Sequence, residues 1–227
     1  MGRRTNLVIL AGLTLSAAAW AVPTPPDAKK DLIPLESGWP LISLYVDVRN
    51  LTGPGGTGTL PESKLASRID EVNKIWSQCA IKFVVHSALN VSAEKLKIPY
   101  SPRSQDDLGK IAEALNPHGY HDAVPLTFAG PWNFYDSRSG LYLNGLGWVF
   151  TNNQGLDRIG AMVSATKIFI PAGGAIIAHE LAHALSLPHV ANPKNLMGPG
   201  GTEDLTEDQC KQARNFSEIA LREFVVN

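Results

Sequence analysis

Three histidines and one glutamate lie close together near the C-terminal end of the 227-residue chain. Residues 179–183 read His-Glu-Leu-Ala-His, and His189 follows six residues later. Because residues i and i+4 share one face of a helix, both imidazoles of the string can point at a single metal ion. Glu180 projects near the same face. Two zinc ligands and a general base within reach of a zinc-polarised water make up the chemistry of an HExxH site.

The metal requirement follows from the donor types. A catalytic zinc ion takes three protein ligands and leaves one position for water. Imidazole suits zinc, whereas calcium takes oxygen ligands. His179, His183 and His189 are therefore predicted to hold one Zn²⁺ per chain, with Glu180 as the catalytic base. The alternative is an ordinary helix with surface histidines, but three of the six histidines fall within these eleven residues, which favours a metal site.

The longer pattern resembles a known zinc motif. Residues 179–189 follow the string HExxHxxSxxH, which is similar to the extended motif HExxHxxGxxH of the metzincin metallopeptidases. Met197 follows His189 by eight residues, in the sequence Asn-Leu-Met, and resembles the methionine of that clan's Met-turn. In that clan the turn forms a hydrophobic floor under the zinc ion. The following Gly-Pro-Gly-Gly at 198–201 suits a tight turn. The close match covers about 20 residues.

One departure from the clan affects the third ligand. Ser186 stands where the clan has the glycine that lets the chain leave the helix sharply. A left-handed conformation costs a residue other than glycine roughly 1–2 kcal/mol. Serine can adopt it, or the chain can turn differently at Pro188. A gluzincin-like site with Glu203 or Glu207 as the third ligand, in place of His189, is the alternative.

The resemblance implies a zinc-dependent endopeptidase that acts on proteins or peptides, and we expect the chain to be a monomer. It also places residues 145–150 at the clan's cleft-edge strand, where an extended peptide pairs by β-augmentation. Trp148 and Phe150 would then line the cleft, or else be ordinary buried aromatics. A non-catalytic, zinc-stabilised binding module and a zinc amidase acting on cell-wall peptide remain alternatives. Glu180 argues against the binding module, since a purely structural site needs no base.

The N-terminal residues have the pattern of a signal peptide. Arg3 and Arg4 precede the apolar stretch 7–20, and an Ala-Trp-Ala cleavage pattern ends at residue 21. The stretch is short for a membrane span, which needs about 20 residues. Cleavage would release a secreted or periplasmic chain, and loss of the two arginines would take its net charge from −1 to about −3. Such a chain has no broad basic surface for nucleic acid and no further membrane span.

The remaining chain is predicted to form one metzincin-like α+β domain over 41–227, after an extended leader at 22–40. Its composition, 44% hydrophobic and 18% charged, is that of a folded domain with a core. The predicted strands and helices alternate in the first part of the domain, and the C-terminal part is less regular. This order indicates a mixed twisted sheet with helices. Periodicity predicts strands at 41–49, 80–86, 124–129, 145–151 and 160–170, and helices at 62–78, 106–115, 171–187 and from 206 to about 224.

Three smaller features complete the predictions. Cys79 and Cys210 are expected to form a disulfide, because an exported chain with two cysteines favours pairing. The Gly-rich segment 52–59 lacks the Gly-Lys-Ser/Thr of a phosphate loop, so we interpret it as a turn. Residues 118–122 carry two histidines and an aspartate; a surface loop is a better interpretation than a second metal site.

Overall fold

The computed structural model describes residues 6–11, 39–115, 123–132, 134–136, 141–143, 145–152, 155–199, 201–221 and 225–226. The predicted signal cleavage site, residues 22–38 of the leader, and the possible second site at 118–122 lie outside these ranges.

A mixed sheet forms the centre of the molecule. Its strands are β1 (Asn6–Ala11), β2 (Ile42–Thr52), β3 (Ile81–Ser92), β4 (Val124–Ala129), β7 (Gly145–Asn152), β8 (Gly155–Ser164) and β9 (Val225–Val226), and β5 (Phe134–Asp136) with β6 (Leu141–Leu143) forms a separate pair. The spatial order is β1-β7-β8-β4-β2-β3, and β9 joins β2. Strands β8, β4, β2 and β3 run parallel, whereas β7 is antiparallel to β8. The predicted α+β class with a mixed sheet is confirmed.

The helices are α1 (Glu62–Trp76), α2 (Ala93–Leu96), α3 (Gln105–Leu115), α4 (Gly173–Ala184) and α5 (Glu207–Ala220). Short 3₁₀ turns occur at Pro54–Gly56, Ser77–Cys79 and Ala165–Phe169. In the part of the chain that the structure describes, no helix is long and apolar enough to span a membrane.

Several predicted boundaries are wrong, and tertiary contacts explain two of them. The strand predicted at 160–170 ends at Ser164, whose buried hydroxyl accepts a bond from the Trp132 N–H as the chain enters a 3₁₀ turn. The helix predicted from Pro171 begins at Gly173, where the carboxylate of Glu71 in α1 accepts a bond from the Gly174 N–H. Helix α5 ends at Ala220 rather than near residue 224.

Two hydrophobic cores occupy the opposite faces of the sheet. In the main core, α1, α4 and α5 pack on alternate residues of the central strands, which is why the first eight residues of β2 alternate between buried and partly exposed. The second core forms under α3 from residues that point the other way, among them Trp132, Trp148 and Met162. Strand β8 serves both cores, because Ala161 and Val163 face the first while Met162 faces the second.

The loop after β2 is a closed turn, as expected for segment 52–59. The ring of Tyr100 fills the space beside it: a Cβ added at Gly58 would lie 2.0 Å from the Tyr100 hydroxyl oxygen, and one at Gly130 would lie 2.6 Å from the ring. Glycine is therefore required there by the close approach of Tyr100.

Helix α5 is tied to the rest of the domain by a covalent bond and an arginine. Cys79, at the end of α1, and Cys210, in the first turn of α5, form the disulfide expected from the sequence, with Cα atoms 4.8 Å apart. The guanidinium of Arg214 donates to the carbonyl oxygens of Cys79, Ala80 and Pro40 at 2.9–3.1 Å. These contacts fix the position of α5 against the end of α1 and the start of β2.

Candidate metal centre

Helix α4 carries polar side chains into the interior. It packs on α1 and on strands β7 and β8, and almost every residue from Gly173 to Ala184 is buried. The side chains of the HExxH string follow the same pattern: His179, Glu180 and His183 are only 8%, 2% and 0% exposed. Buried polar groups are costly unless they have partners, so these three side chains need a specific role.

The chain leaves α4 through a Schellman motif. Ser186 takes the left-handed conformation with φ of 65°, its N–H bonds the His183 carbonyl oxygen, and the Leu187 N–H bonds that of Ala182. The side chain of Gln212 donates to the Ser186 carbonyl oxygen at 2.7 Å. Serine thus makes the turn for which the metzincin motif uses glycine, and the turn returns His189 to the face of α4.

The three imidazoles meet through their Nε2 atoms. His189 Nε2 lies 3.3 Å from His179 Nε2 and 3.0 Å from His183 Nε2. Among the described residues, these three form the group that is arranged to hold a metal ion. Neither Glu203 nor Glu207 belongs to it. Both are exposed, and Glu207 pairs with Lys211, so the structure does not support the alternative third ligands.

The hydrogen bonds on the opposite ring nitrogens fix which atoms can bind a metal. His179 Nδ1 lies 2.6 Å from the Leu196 carbonyl oxygen, and His183 Nδ1 lies 2.8 Å from that of Leu187. A carbonyl oxygen only accepts, so each Nδ1 carries the proton and each Nε2 presents a lone pair. Backbone carbonyls orient metal-ligating histidines in this way.

The arrangement fits a tetrahedral zinc ion. Zinc–nitrogen bonds of about 2.0–2.1 Å in tetrahedral geometry separate two ligand nitrogens by about 3.3 Å. The two measured separations, 3.0 and 3.3 Å, are close to that value. Burial lowers the pKa of His179 to about 4, and it lowers the pKa values of His183 and His189 as well. All three rings are therefore neutral at pH 7, as metal coordination requires.

Glu180 follows His179 on α4, and its carboxylate is buried. Burial raises its pKa to about 8, an effect that hydrogen bonding from the Gly147 backbone partly opposes. Its Oε2 atom is buried and has no hydrogen-bond partner among the described residues. A cation held by the histidines would favour the charged carboxylate and lower its pKa. One oxygen of this buried carboxylate is thus free of partners in the part of the chain that the structure describes.

Two glycines of β7, which were not among the predicted site residues, make room for this carboxylate. A Cβ at Gly145 would lie 2.0 Å from Glu180 Oε1, and one at Gly147 would lie 2.2 Å from the Glu180 carbonyl oxygen and 2.5 Å from His183 Cβ. Glycines at alternate positions of one strand lie on one face of the sheet. Glycine inside a strand often marks a close approach of another backbone. Two such glycines at alternate positions are the sequence signal that could have identified this contact.

The segment after His189 forms the predicted tight turn. The Gly198 N–H bonds the Asn195 carbonyl oxygen at 2.9 Å, and the Val190 N–H bonds that of Met197 at 3.0 Å. Met197 is completely buried in the main core. The turn meets the histidines at the Leu196 carbonyl, which is the acceptor for His179.

The structure decides between the two alternatives for the aromatic residues of β7, cleft lining or ordinary burial, in the case of Trp148. Trp148 points into the second core, on the face of β7 opposite to α4, so it is an ordinary buried aromatic. The side chain of Phe150 lies outside the described residues. The strand itself does lie beside α4, and its outer edge pairs antiparallel with β1.

Comparisons with known proteins bear on the fold. No protein-family model matches the chain, and no curated protein matches it. Among solved structures, metalloproteinase-II from Bacteroides fragilis is similar, with a TM-score of 0.51 and 14% identity over 81% of this chain. Archaemetzincin from Methanopyrus kandleri has a TM-score of 0.50 and 14% identity over 78% of this chain. The matches span 58% of the Bacteroides protein and 96% of the Methanopyrus protein. The chain therefore shares the fold of these two solved structures, which are named as a metalloproteinase and an archaemetzincin.

Proposed function

We propose that this chain is an exported zinc-dependent endopeptidase of metzincin type. The observation that carries the proposal is the meeting of three Nε2 atoms at α4, the helix that also buries Glu180, whose Oε2 has no hydrogen-bond partner among the described residues. Two neutral rings aim their lone pairs at a third ring 3.0–3.3 Å away, an arrangement that calls for a cation between them. The metallopeptidase fold supports the same function.

The roles of the residues follow from their positions. His179, His183 and His189 would hold the ion, and zinc bound there would supply Lewis-acid polarisation of the scissile carbonyl and of the attacking water. Glu180 takes the proton of that water and later passes it to the leaving amine. The Gly147 N–H holds the carboxyl group in place, and the lack of side chains at Gly145 and Gly147 lets it approach the strand.

The edge of β7 supports peptides and proteins as the substrate class. Residues Asn6–Ala11 pair antiparallel with Leu146–Thr151, so this edge accepts an extended chain next to α4. An extended substrate can use the same backbone groups by β-augmentation. We propose that removal of the signal peptide, residues 1–21, accompanies export to the periplasm or the medium and frees this edge in the mature enzyme.

Two other functions differ from this proposal in measurable ways. A binding module that uses zinc only for stability has no role for the Glu180 carboxylate. Burying this carboxylate with one oxygen unpartnered among the described residues would then lower the stability of the fold without serving a function. A zinc amidase that cleaves cell-wall peptide would use the same residues on another substrate. The choice between the two enzymes rests on the substrate alone.

The test compares wild type with Glu180→Gln and His183→Ala, and uses Glu203→Gln as a matched control on an exposed glutamate outside the histidine group. Wild type and Glu203→Gln should bind about one zinc per chain and cleave an unfolded protein substrate. Glu180→Gln should keep its zinc and lose about 10²–10⁴-fold in activity, because the attacking water lacks its proton acceptor. His183→Ala should lose both zinc and activity.

Each opposite result points to a definite conclusion. Wild type without zinc after purification free of chelators would refute the metal centre. Wild-type activity in Glu180→Gln would refute the mechanism. Zinc binding with cleavage of cell-wall peptide but not of proteins would establish the amidase. Zinc binding with cleavage of neither substrate would establish the binding module.

A further inference from the structure

We propose that the paired side-chain amides of Asn195 and Gln209 are a positioning device for the metal ligand His179. The proposal rests on the proposed function, because it takes His179 as a zinc ligand. Neither amide touches the histidine group directly. Both act through the backbone of the turn at 195–198, whose Leu196 carbonyl oxygen accepts the bond from His179 Nδ1 at 2.6 Å.

The two amides form a reciprocal pair in the interior. Asn195 Nδ2 donates to Gln209 Oε1 at 2.8 Å, and Gln209 Nε2 donates to Asn195 Oδ1 at 3.1 Å. Both residues are buried. Each amide thus satisfies the other, and such a pair has one favourable mutual orientation, because turning either group would bring two donors or two acceptors together.

Each end of the pair is fixed to a different backbone segment. Asn195 Oδ1 also accepts the Met197 N–H at 2.9 Å, which holds the peptide units on both sides of Leu196. Gln209 Oε1 also accepts the Thr206 N–H at 2.9 Å, within the capping box of α5. The pair therefore connects the acceptor of His179 to the first turn of α5.

Helix α5 is a rigid support for this purpose. Cys210 follows Gln209 and is bound to Cys79 at the end of α1, and Arg214 holds the start of β2 one turn later. Helix α4 carries His179 on one side of the turn, while α5 holds the turn from the other. The direction of the Leu196 carbonyl, and with it the His179 ring, is set by two independently anchored helices. Loss of an outer partner of a metal ligand typically weakens metal affinity by about 10–100-fold.

The experiment uses two substitutions of Gln209 and one control. Gln209→Met is neutral and of similar length, and it removes both bonds to Asn195 together with the capping contact. Gln209→Glu keeps an acceptor for the Thr206 N–H, but its second oxygen faces Asn195 Oδ1 where an N–H had donated. Thr206→Ala removes the capping hydroxyl and destabilises the same helix end, yet leaves the amide pair intact.

Two readouts are measured for each folded variant. Zinc affinity is determined by competition with a chelator, and the ring tautomer of His179 is determined by NMR of the metal-free protein at neutral pH. Both Gln209 variants should bind zinc about tenfold or more weakly than wild type. Both should also lose part of the Nδ1–H tautomer. Thr206→Ala should change neither quantity, although it lowers the free energy of unfolding.

The outcomes separate this proposal from the proposed function. If wild type binds no zinc, the metal centre fails and this inference fails with it. If wild type binds zinc and both Gln209 variants bind it equally well with an unchanged His179 tautomer, only the positioning role is refuted. If Thr206→Ala weakens zinc binding as much as the Gln209 variants do, the effect is general destabilisation and the positioning role is refuted. If Gln209→Met does not fold, Gln209→Glu decides, because it retains the cap.

Discussion

The two faces of strand β7 are built in opposite ways. On the face toward α4, Gly145 and Gly147 carry no side chain, and the backbone and carboxylate of Glu180 occupy the space. On the other face, Trp148 is buried in the second core and Leu146 packs against that core. Residues 145–148 therefore present only backbone to α4 and large apolar side chains to the second core.

The difference shows what each face contributes. Burial of a large apolar side chain contributes about 1.5–3 kcal/mol, so the face toward α3 stabilises the fold. Gly145 and Gly147, on the face toward α4, have no side chain and therefore add no such burial energy. Because these two residues have no Cβ, α4 lies close enough for the Gly147 backbone to hydrogen-bond the Glu180 carboxyl group. Substitutions on the two faces should therefore separate stability from activity.

The disulfide is expected to give the largest effect, and it joins two segments on the face that carries α1, α4 and α5. Its cysteines are 131 residues apart, for which the chain-entropy relation gives about 5 kcal/mol. Cys79→Ala with Cys210→Ala should lower the free energy of unfolding by about that amount in denaturant titrations. Thiol titration of the unreduced, unfolded wild type should detect no free thiol; two thiols per chain would contradict the bridge.

Trp148→Ala should destabilise the opposite face by about 3–5 kcal/mol, because it removes a large side chain from a packed core. Zinc content and activity per folded molecule should remain largely unchanged, since the ring points away from α4. Denaturant unfolding and active-site titration of the folded fraction measure the two quantities. A loss of activity larger than the loss of folded protein would show that the two faces are not independent.

Gly145→Ala should have the opposite pattern to Trp148→Ala and lower activity more than it lowers stability. The new Cβ would displace the Glu180 carboxylate, and a displacement of about 1 Å can cost 10²-fold in rate, equivalent to about 2.7 kcal/mol. Zinc binding should persist. Gly160→Ala is the matched control, because its Cβ would meet the Trp148 ring at 2.6 Å on the other face. That control should lower stability by about 1–3 kcal/mol and spare activity; equal activity losses in both variants would refute the assignment.

The smallest effect is expected from Gly109→Ala in α3, and its sign is opposite. This glycine is exposed inside a helix, and an added Cβ would meet nothing within 4 Å. Alanine should raise the free energy of unfolding by about 0.5–1 kcal/mol through its higher helix propensity. Activity should stay at the wild-type level. A destabilised variant would show that α3 does not begin and end as described.

Residues of the candidate site could be predicted from the sequence where they lie within a short stretch of chain. The spacing of His179, Glu180 and His183 depends only on the pitch of a helix, so the sequence alone identified them as neighbours on α4. The disulfide followed from the cysteine count, and the start of the last helix near residue 206 from local residue types. Local periodicity also gave the class of the fold and the positions of its main strands and helices.

Tertiary structure decided what depends on distant segments. Whether Ser186 could replace the motif's glycine was settled by a left-handed turn that Gln212 of α5 supports, and that turn brings His189 to the other two rings. The start of α4 was set by Glu71 of α1 rather than by the local proline. Such contacts join residues far apart in sequence, so no local pattern specifies them.

The sequence by itself determined which groups carry the chemistry, because residue type and helical spacing suffice for that. Only the tertiary structure decided how those groups are held. The space for Glu180 comes from glycines on a strand, and the direction of His179 comes from a carbonyl supported by Asn195 and Gln209. These supports are close packing and buried hydrogen bonds, whose geometry exists only once the sheet and the helices have been assembled around them.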